Sequence, residues 1–301
     1  MCDDNLVLSL QAVAERHLLA HEPGFYRLRF GRMTITALCD GHFPLSAHDV
    51  LRSGKTMLGT LLEDAHLGPV IPSHVNAFLI DDGARRMLID AGAGDLQDAT
   101  LGRMAMQLAA AGYRPGDIDI VLATHLHPDH IGGLTRNGEA VFPRALVYVP
   151  REEAAFWLGT SDCDAVDASV RATFEHARQI LAPYIAEGRY RAFDPEASWY
   201  GYLTAESLPG HTSGHTGYRL HTYEQDLVFC GDLFHVLPVQ LAEPGVTVCY
   251  DSEPALAMRT RATFLAEACR RGDIVGAAHA PFPGLGQVGK GVREYAWHPV
   301  A

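Results

Sequence analysis

The chain has 301 residues, 48% apolar and 20% charged, the proportions of a globular protein long enough to bury a large core. Its 24 Lys/Arg against 36 Asp/Glu leave a net charge of −12 with no basic block, which argues against a nucleic-acid partner and favours a neutral or weakly polar small molecule. No apolar run reaches the ~18–20 residues needed to cross a bilayer, and the acidic start Met1-Cys2-Asp3-Asp4 lacks the basic opening of a secretory signal, so a cytoplasmic protein is expected.

Residues 1–25 read as an N-terminal arm with helical character around Leu10–Leu19. The alternation Met33-Thr34-Ile35-Thr36-Ala37-Leu38 predicts a strand, and Asp40-Gly41 a turn after it. Residues 41–70 have weak periodicity and read as loop with one short helix. Strands follow at Val75–Ile80 and Met87–Ile89, joined by the hairpin signal Asp81-Asp82-Gly83, and the second ends in Asp90-Ala91-Gly92. Leu101, Met104, Leu108 and Ala111 share one helical face that Gly112 closes. Ile118–Ala123 is almost wholly apolar and short, as a buried central strand would be.

Further strands are expected at Leu146–Val149, Tyr190–Phe193, Leu203–Leu208, Tyr218–His221, Leu227–Cys230 and Ile274–Ala277. Helices are expected at Glu152–Leu158, Ala168–Ala186 and Pro254–Arg271, the last with Met258, Ala262, Leu265 and Cys269 on its apolar stripe. Strands interspersed with amphipathic helices imply a layered α/β fold, and no linker or repeat divides residues 26–301, which read as one domain. The six cysteines show no C-x-x-C spacing, and four of them lie in apolar stretches where they read as small buried hydrophobes rather than disulfides or metal ligands.

Chemistry gathers where the apolar strand ends, in Thr124-His125-Leu126-His127-Pro128-Asp129-His130. Imidazole and carboxylate are the ligands suited to zinc, iron, cobalt and manganese. His125 and His127, two apart on extended backbone, project to one side, and the turn begun by Pro128 re-aims Asp129 and His130. One ion cannot comfortably take all four from so short a stretch, whereas two adjacent ions can. His211, in Pro209-Gly210-His211-Thr212-Ser213-Gly214-His215, Asp232, after Gly231, and His279, in Ala277-Ala278-His279-Ala280, each follow a predicted strand. Strand ends gathered at one edge would bring all seven together.

That set resembles the metallo-β-lactamase superfamily, and the resemblance runs from about Met33 to the end. It implies an αββα sandwich with metals at one edge of its two sheets. By carry-over, His125, His127 and His211 would hold one ion, Asp129, His130 and His279 the other, and Asp232 would bridge them. Longer stretches, Ser73–Leu79, His125–Leu134, Gly231–Val236, Pro244–Ser252 and Gly276-Ala277-Ala278-His279 with Phe282-Pro283-Gly284, are similar to methyl-parathion-hydrolase-like enzymes and their N-acyl-homoserine-lactonase relatives. Trp157 and Phe174 match aromatic positions of that family's substrate pocket, while Gln97 stands where the parathion hydrolase has a pocket Phe.

Two divalent ions, Zn2+ by expectation with Mn, Fe or Co as alternatives, would sit ~3.5–4 Å apart, share a bridging hydroxide and polarise the substrate oxygen. Asp129, Asp232 or a water would pass a proton to the leaving group. Asp90 and His215 are expected to orient the ligands, with Thr124 and Thr212 as further candidates, and His235 to face or cover the pocket. The expected activity is opening of N-acyl-homoserine-lactone-type lactones, with organophosphate triesters as a promiscuous or alternative substrate class. A glyoxalase-II-like thioester hydrolase shares the ligands but lacks here a basic cluster for glutathione. His127 counts against a diiron oxidoreductase, which would carry Glu there. A homodimer is also expected from the resemblance.

Overall fold

The computed structural model describes residues 18–22, 24–95, 100–159 and 168–300. The apolar strands segregate their side chains by parity, and that builds the layers. Met87 and Ile89 face one way and Leu88 the other; Ile120 and Leu122 likewise oppose Val121, and Phe78 and Ile80 oppose Ala77 and Leu79. Such runs are apolar throughout because both faces of their sheet are covered.

The first sheet has eight strands in the order β1 (Leu18–Glu22), β2 (Phe25–Phe30), β3 (Met33–Ser46), β5 (Val70–Asp81), β6 (Arg86–Ile89), β7 (Ile120–Leu122), β10 (Leu146–Pro150) and β11 (Tyr190–Phe193). The second has seven: β12 (Ser198–Trp199), β13 (Leu203–Ser207), β14 (Thr216–Leu220), β15 (Leu227–Phe229), β17 (Ile274–Gly276), β18 (Leu285–Lys290) and β19 (Tyr295–Pro299). Two small pairs complete the set, β4 (Leu51–Arg52) with β16 (Thr247–Val248), and β8 (Thr135–Arg136) with β9 (Glu139–Ala140).

One core lies between the sheets, where Ile35, Phe78, Ile89 and Leu122 meet Trp199, Tyr218, Leu227 and Phe229. The outer face of the first sheet packs on helices Met104–Ala110 and Ala168–Ala186 through Leu79, Val121, Val147, Leu108, Phe174 and Leu181. The outer face of the second packs on helix Pro254–Arg271 through Val228, Val275, Phe264 and Leu265. The result is the expected αββα sandwich. Among the described residues, no helix is long and apolar enough to cross a membrane.

Several local expectations are corrected. Asp40-Gly41 is not a turn but a bulge inside β3, which continues to Ser46, because β5 supplies pairing partners on both sides of the irregularity. Asp40 instead turns inward, and its carboxylate accepts the backbone N–H groups of Ala93, Gly102 and Met104. Residues 41–70 are not mainly loop: after β3 they hold helix Ala47–Val50, β4 and helix Lys55–Asp64. The helical character expected up to Leu19 gives way to β1 from Leu18; residues 1–17 of the arm lie outside the described residues.

Strands β2, β18 and β19 and helix Leu237–Ala242 were not foreseen. In helix Pro254–Arg271 the buried stripe is Ala257, Arg261, Phe264, Leu265 and Ala268, rotated from the expected one, and Met258 and Ala262 face outwards.

Candidate metal centre

Strands β6, β7, β10 and β11 run parallel, as do β15 and β17, and the loops that leave their carboxyl ends converge. That edge is where open α/β sheets present ligand-binding groups. The loop after β7 carries His125–His130, with Pro128 opening a one-turn helix Pro128–Ile131 that swings Asp129 and His130 round. The β13–β14 connection carries His211 and His215, the loop after β15 Asp232 and His235, and the loop after β17 His279.

All seven proposed ligands come together. His125, His127, His211 and Asp232 offer donor atoms within 4.8 Å of one another, and so do Asp129, His130 and His279. Asp232 lies at the centre: Oδ1 is 2.9 Å from His130 Nε2, and Oδ2 is 3.1 Å from His279 Nε2 and 3.3 Å from His211 Nε2. Asp129 Oδ2 stands 3.5 Å from His279 Nε2 and 3.7 Å from His130 Nε2.

His130, His279, His211 and His125 share one logic, with the outer nitrogen held and the inner one turned to the cluster. His130 Nδ1 donates to Asp90 Oδ2 at 2.8 Å, His279 Nδ1 to the His74 carbonyl at 2.7 Å, and His211 Nδ1 to Asp251 Oδ1 at 3.1 Å. His125 Nδ1 is 3.0 Å from Thr124 Oγ1, whose hydroxyl and amide are both tied to Asp90. Such outer partners fix the tautomer and aim of metal-binding histidines.

The inner atoms test whether a metal fits. His125 Nε2 is fully buried and has no hydrogen-bond partner. His130 Nε2 and Asp232 Oδ1, though 2.9 Å apart, lack hydrogen-bond geometry and are unpartnered too. His127 Nδ1 and His211 Nε2 face each other at 3.0 Å. Buried polar atoms left without partners are costly, and a cation among them removes the cost. The donor set fits two metal ions of the His/carboxylate-preferring kind.

Electrostatics agrees. Burial pushes the imidazoles of His125 and His211 well below their usual range and His127 down to about 4, so all three are neutral donors near pH 7. Burial alone would raise Asp232, yet His130, His279 and His125 hold it well below the usual carboxylate range. Burial would lower His130, but Asp232, Asp129 and Asp90 raise it well above normal; the carboxylates favour a positive charge at that position, proton or metal.

The other expected residues divide. Asp90, at the end of β6, adopts φ +58°, a conformation unfavourable for a side-chain-bearing residue, while holding both Thr124 and His130. His215 Nδ1 donates to the Leu208 carbonyl and Nε2 accepts the Asp232 N–H at 2.9 Å, which places the central carboxylate. Gly231 permits that approach, since a Cβ there would meet His215 Nε2 at 2.5 Å. His235 stacks on His279 at 5.1 Å, its Nε2 3.2 Å from Asp232 Oδ2.

Trp157 sets its ring edge-on 5.7 Å from His127, and the buried Phe174 backs it at 4.8 Å with the half-exposed Phe156 beside both. Gln97 falls outside the described residues. Glu153, Asp251 and the carbonyl of His74 were missed, although Asp251 falls in the Pro244–Ser252 stretch. A groove of about 970 Å³ between helices Lys55–Asp64 and Leu237–Ala242 and strands β18 and β19 contains none of the seven ligands.

The metallo-beta-lactamase superfamily profile matches residues 70–197. A crystal structure of the hydrolase AbOPH, described as in the beta lactamase superfamily, is 33% identical over 94% of this chain and 99% of its own, with a TM-score of 0.88. The chain belongs to the metallo-beta-lactamase superfamily. Another superfamily-like fold, AidC, a dizinc quorum-quenching lactonase solved with a product, superposes with a TM-score of 0.83 at 24% identity over 92% of this chain and 97% of its own. A probable metallo-hydrolase of Mycobacterium tuberculosis is 27% identical over 144 residues, 44% of this chain. The chain spans about two fifths of the length of that curated relative, 42%. Within that superfamily, the His/Asp cluster of this chain is its candidate divalent-metal centre.

Proposed function

We propose that the chain is a dinuclear metal-dependent hydrolase that opens lactones of the N-acyl-homoserine-lactone type, with organophosphate triesters as secondary substrates. The observation that carries the proposal is the pair of donor groups sharing Asp232. His125, His127 and His211 would hold one ion, Asp129, His130 and His279 the other, with Asp232 between them and Zn2+ the expected metal. When bound, the ions supply Lewis-acid polarisation of the substrate oxygen and lower the pKa of water, so that hydroxide is available near neutral pH.

The chain's own residues do the rest. Asp90, Thr124, His215 and Asp251 hold the donor atoms in place, so no rearrangement accompanies reaction. Asp129, its side chain 18% exposed against 3% for Asp232, faces the open side, and we assign it the relay that would take the proton of the attacking water and pass it to the leaving alkoxide. Trp157, Phe156 and Phe174 form an aromatic wall beside His127 that suits an acyl chain and keeps water from it. His235 forms the opposite side, with the ring of Tyr250 5.9 Å beyond. The fold shared with AidC, whose structure was solved with N-hexanoyl-L-homoserine, supports the choice of lactone.

A substrate panel tests it: acyl-homoserine lactones, simple lactones, a paraoxon-type triester, S-lactoylglutathione and a β-lactam. The acyl-homoserine lactones should show the highest kcat/KM. A clear preference for the thioester or the triester would overturn the lactone assignment.

A further inference from the structure

Glu153 lies in helix Arg151–Trp157 next to the exposed Glu152, and the pair reads in sequence as an ordinary acidic helix start. Yet Glu153 is completely buried. Its Oε2 accepts the backbone N–H of Leu126 at 3.1 Å and the indole N–H of Trp157 at 2.9 Å, and its Oε1 accepts the backbone N–H of Gly214 at 3.0 Å. Leu126 sits between His125 and His127. Gly214 sits between His211 and His215. Trp157 is the wall against His127. A single buried carboxylate thus joins the ligand loop of one sheet, the ligand loop of the other, and the aromatic wall. Gly214 is fitted to this contact, because a Cβ on it would meet the Glu153 backbone nitrogen at 2.5 Å.

We propose that Glu153 is a positioning residue that straps the His125/His127 loop to the His211 loop and so sets the affinity of one of the two metal sites. The inference rests on the dinuclear reading above. The seam it crosses is the one that the His125/His127/His211 set must span, where His127 Nδ1 and His211 Nε2 approach to 3.0 Å. The Asp129/His130/His279 set is secured separately: Asp90 holds His130, the His74 carbonyl holds His279, and Asn76 Nδ2 donates to the Ala280 carbonyl at 2.8 Å. Loss of the strap should therefore weaken one ion and spare the other, whereas a general loss of stability would weaken both.

Glu153→Gln is the direct variant. An amide has one acceptor oxygen, so either Gly214 or the Leu126/Trp157 pair must face an NH2 instead. Wild type, Glu153→Gln and the control Glu152→Gln are loaded with Zn2+ and titrated with a chelator, counting ions released per chain. Amide hydrogen exchange of residues 124–130 and 208–215 is followed in the metal-free proteins.

In Glu153→Gln one ion should be released about 10- to 100-fold more readily, the other should hold as in wild type, and both loops should exchange faster. Equal weakening of both ions, weakening of neither, or unchanged exchange in the two loops would overturn the strap. Wild type binding fewer than two ions would instead overturn the dinuclear reading, while the exchange comparison still judges the strap. If Glu153→Gln does not fold, Gly214→Ala pushes the same loop from the intact carboxylate and should give the same one-ion pattern; without it the strap is wrong.

Discussion

Asp232 is surrounded by imidazole nitrogens of His130, His279, His211 and His235, all within 3.3 Å of its two oxygens. Replacing it by Asn keeps the shape but removes a charge and one acceptor, so Asp232→Asn should nearly abolish hydrolysis while circular dichroism stays that of the folded chain; retained turnover would remove Asp232 from the centre. Asp251 acts one step out. It is buried, accepts from His211 Nδ1 and from the Val248 N–H at 2.9 Å, and lies beside the buried Arg261, whose guanidinium donates to the carbonyls of Leu233, Pro244 and Val246. Asp251→Asn should lower zinc affinity about 10- to 100-fold, read by chelator competition.

The run H-x-H-x-D-H was legible by itself because imidazole and carboxylate crowd together there, whereas His211, Asp232 and His279, each a lone residue after a strand, were legible only in its company and through the family resemblance. Glu153 and Asp251 were not legible, since the partners that tie them to the cluster, the amides of Leu126 and Gly214 and the ring of His211, are 27, 61 and 40 residues away, and nothing in the local text marks an acidic residue as buried.

At the scale of elements, strands covered on both faces were legible as short apolar runs, and several strands with weaker burial were missed. β18 mixes buried, half-buried and exposed positions and carries Gly286 and Gly289, and β19 has no buried position, so their pattern is weak. The Asp40-Gly41 pair reads as a turn from its residue types, but pairing with β5 carries the strand through it. Helix Pro254–Arg271 had its bounds legible and its face misjudged: the buried Arg261 displaces the apparent stripe.

Two substitutions separate the faces. Phe264→Ala should cost about 3–5 kcal/mol in denaturant unfolding, as expected for an emptied core aromatic, while Met258→Ala, on the exposed side, should shift it by no more than about 0.5 kcal/mol. At the turn after β15, Gly231→Ala adds the strain of φ +51°, about 1–2 kcal/mol, and forces the new Cβ on His215, so activity should fall along with stability.

Over the whole molecule, two mixed sheets pack face to face and deliver loops from both to one edge. Neither sheet carries the centre alone: His125, His127, Asp129 and His130 come from the first, and His211, Asp232 and His279 from the second. That division explains why so many outer groups are spent on alignment, and why the metal centre is the most demanding product of the fold. Composition and charge fixed none of this; the strand order and the spacing of the histidines did.

The central claim is that this edge holds two metal ions. Elemental analysis of the purified chain, reconstituted with excess Zn2+ and freed of unbound metal, measures it directly. The account predicts about two ions per chain, by the two-site reading, with lactone hydrolysis rising until the second is bound. Full activity with a single ion per chain, or with none, would contradict it.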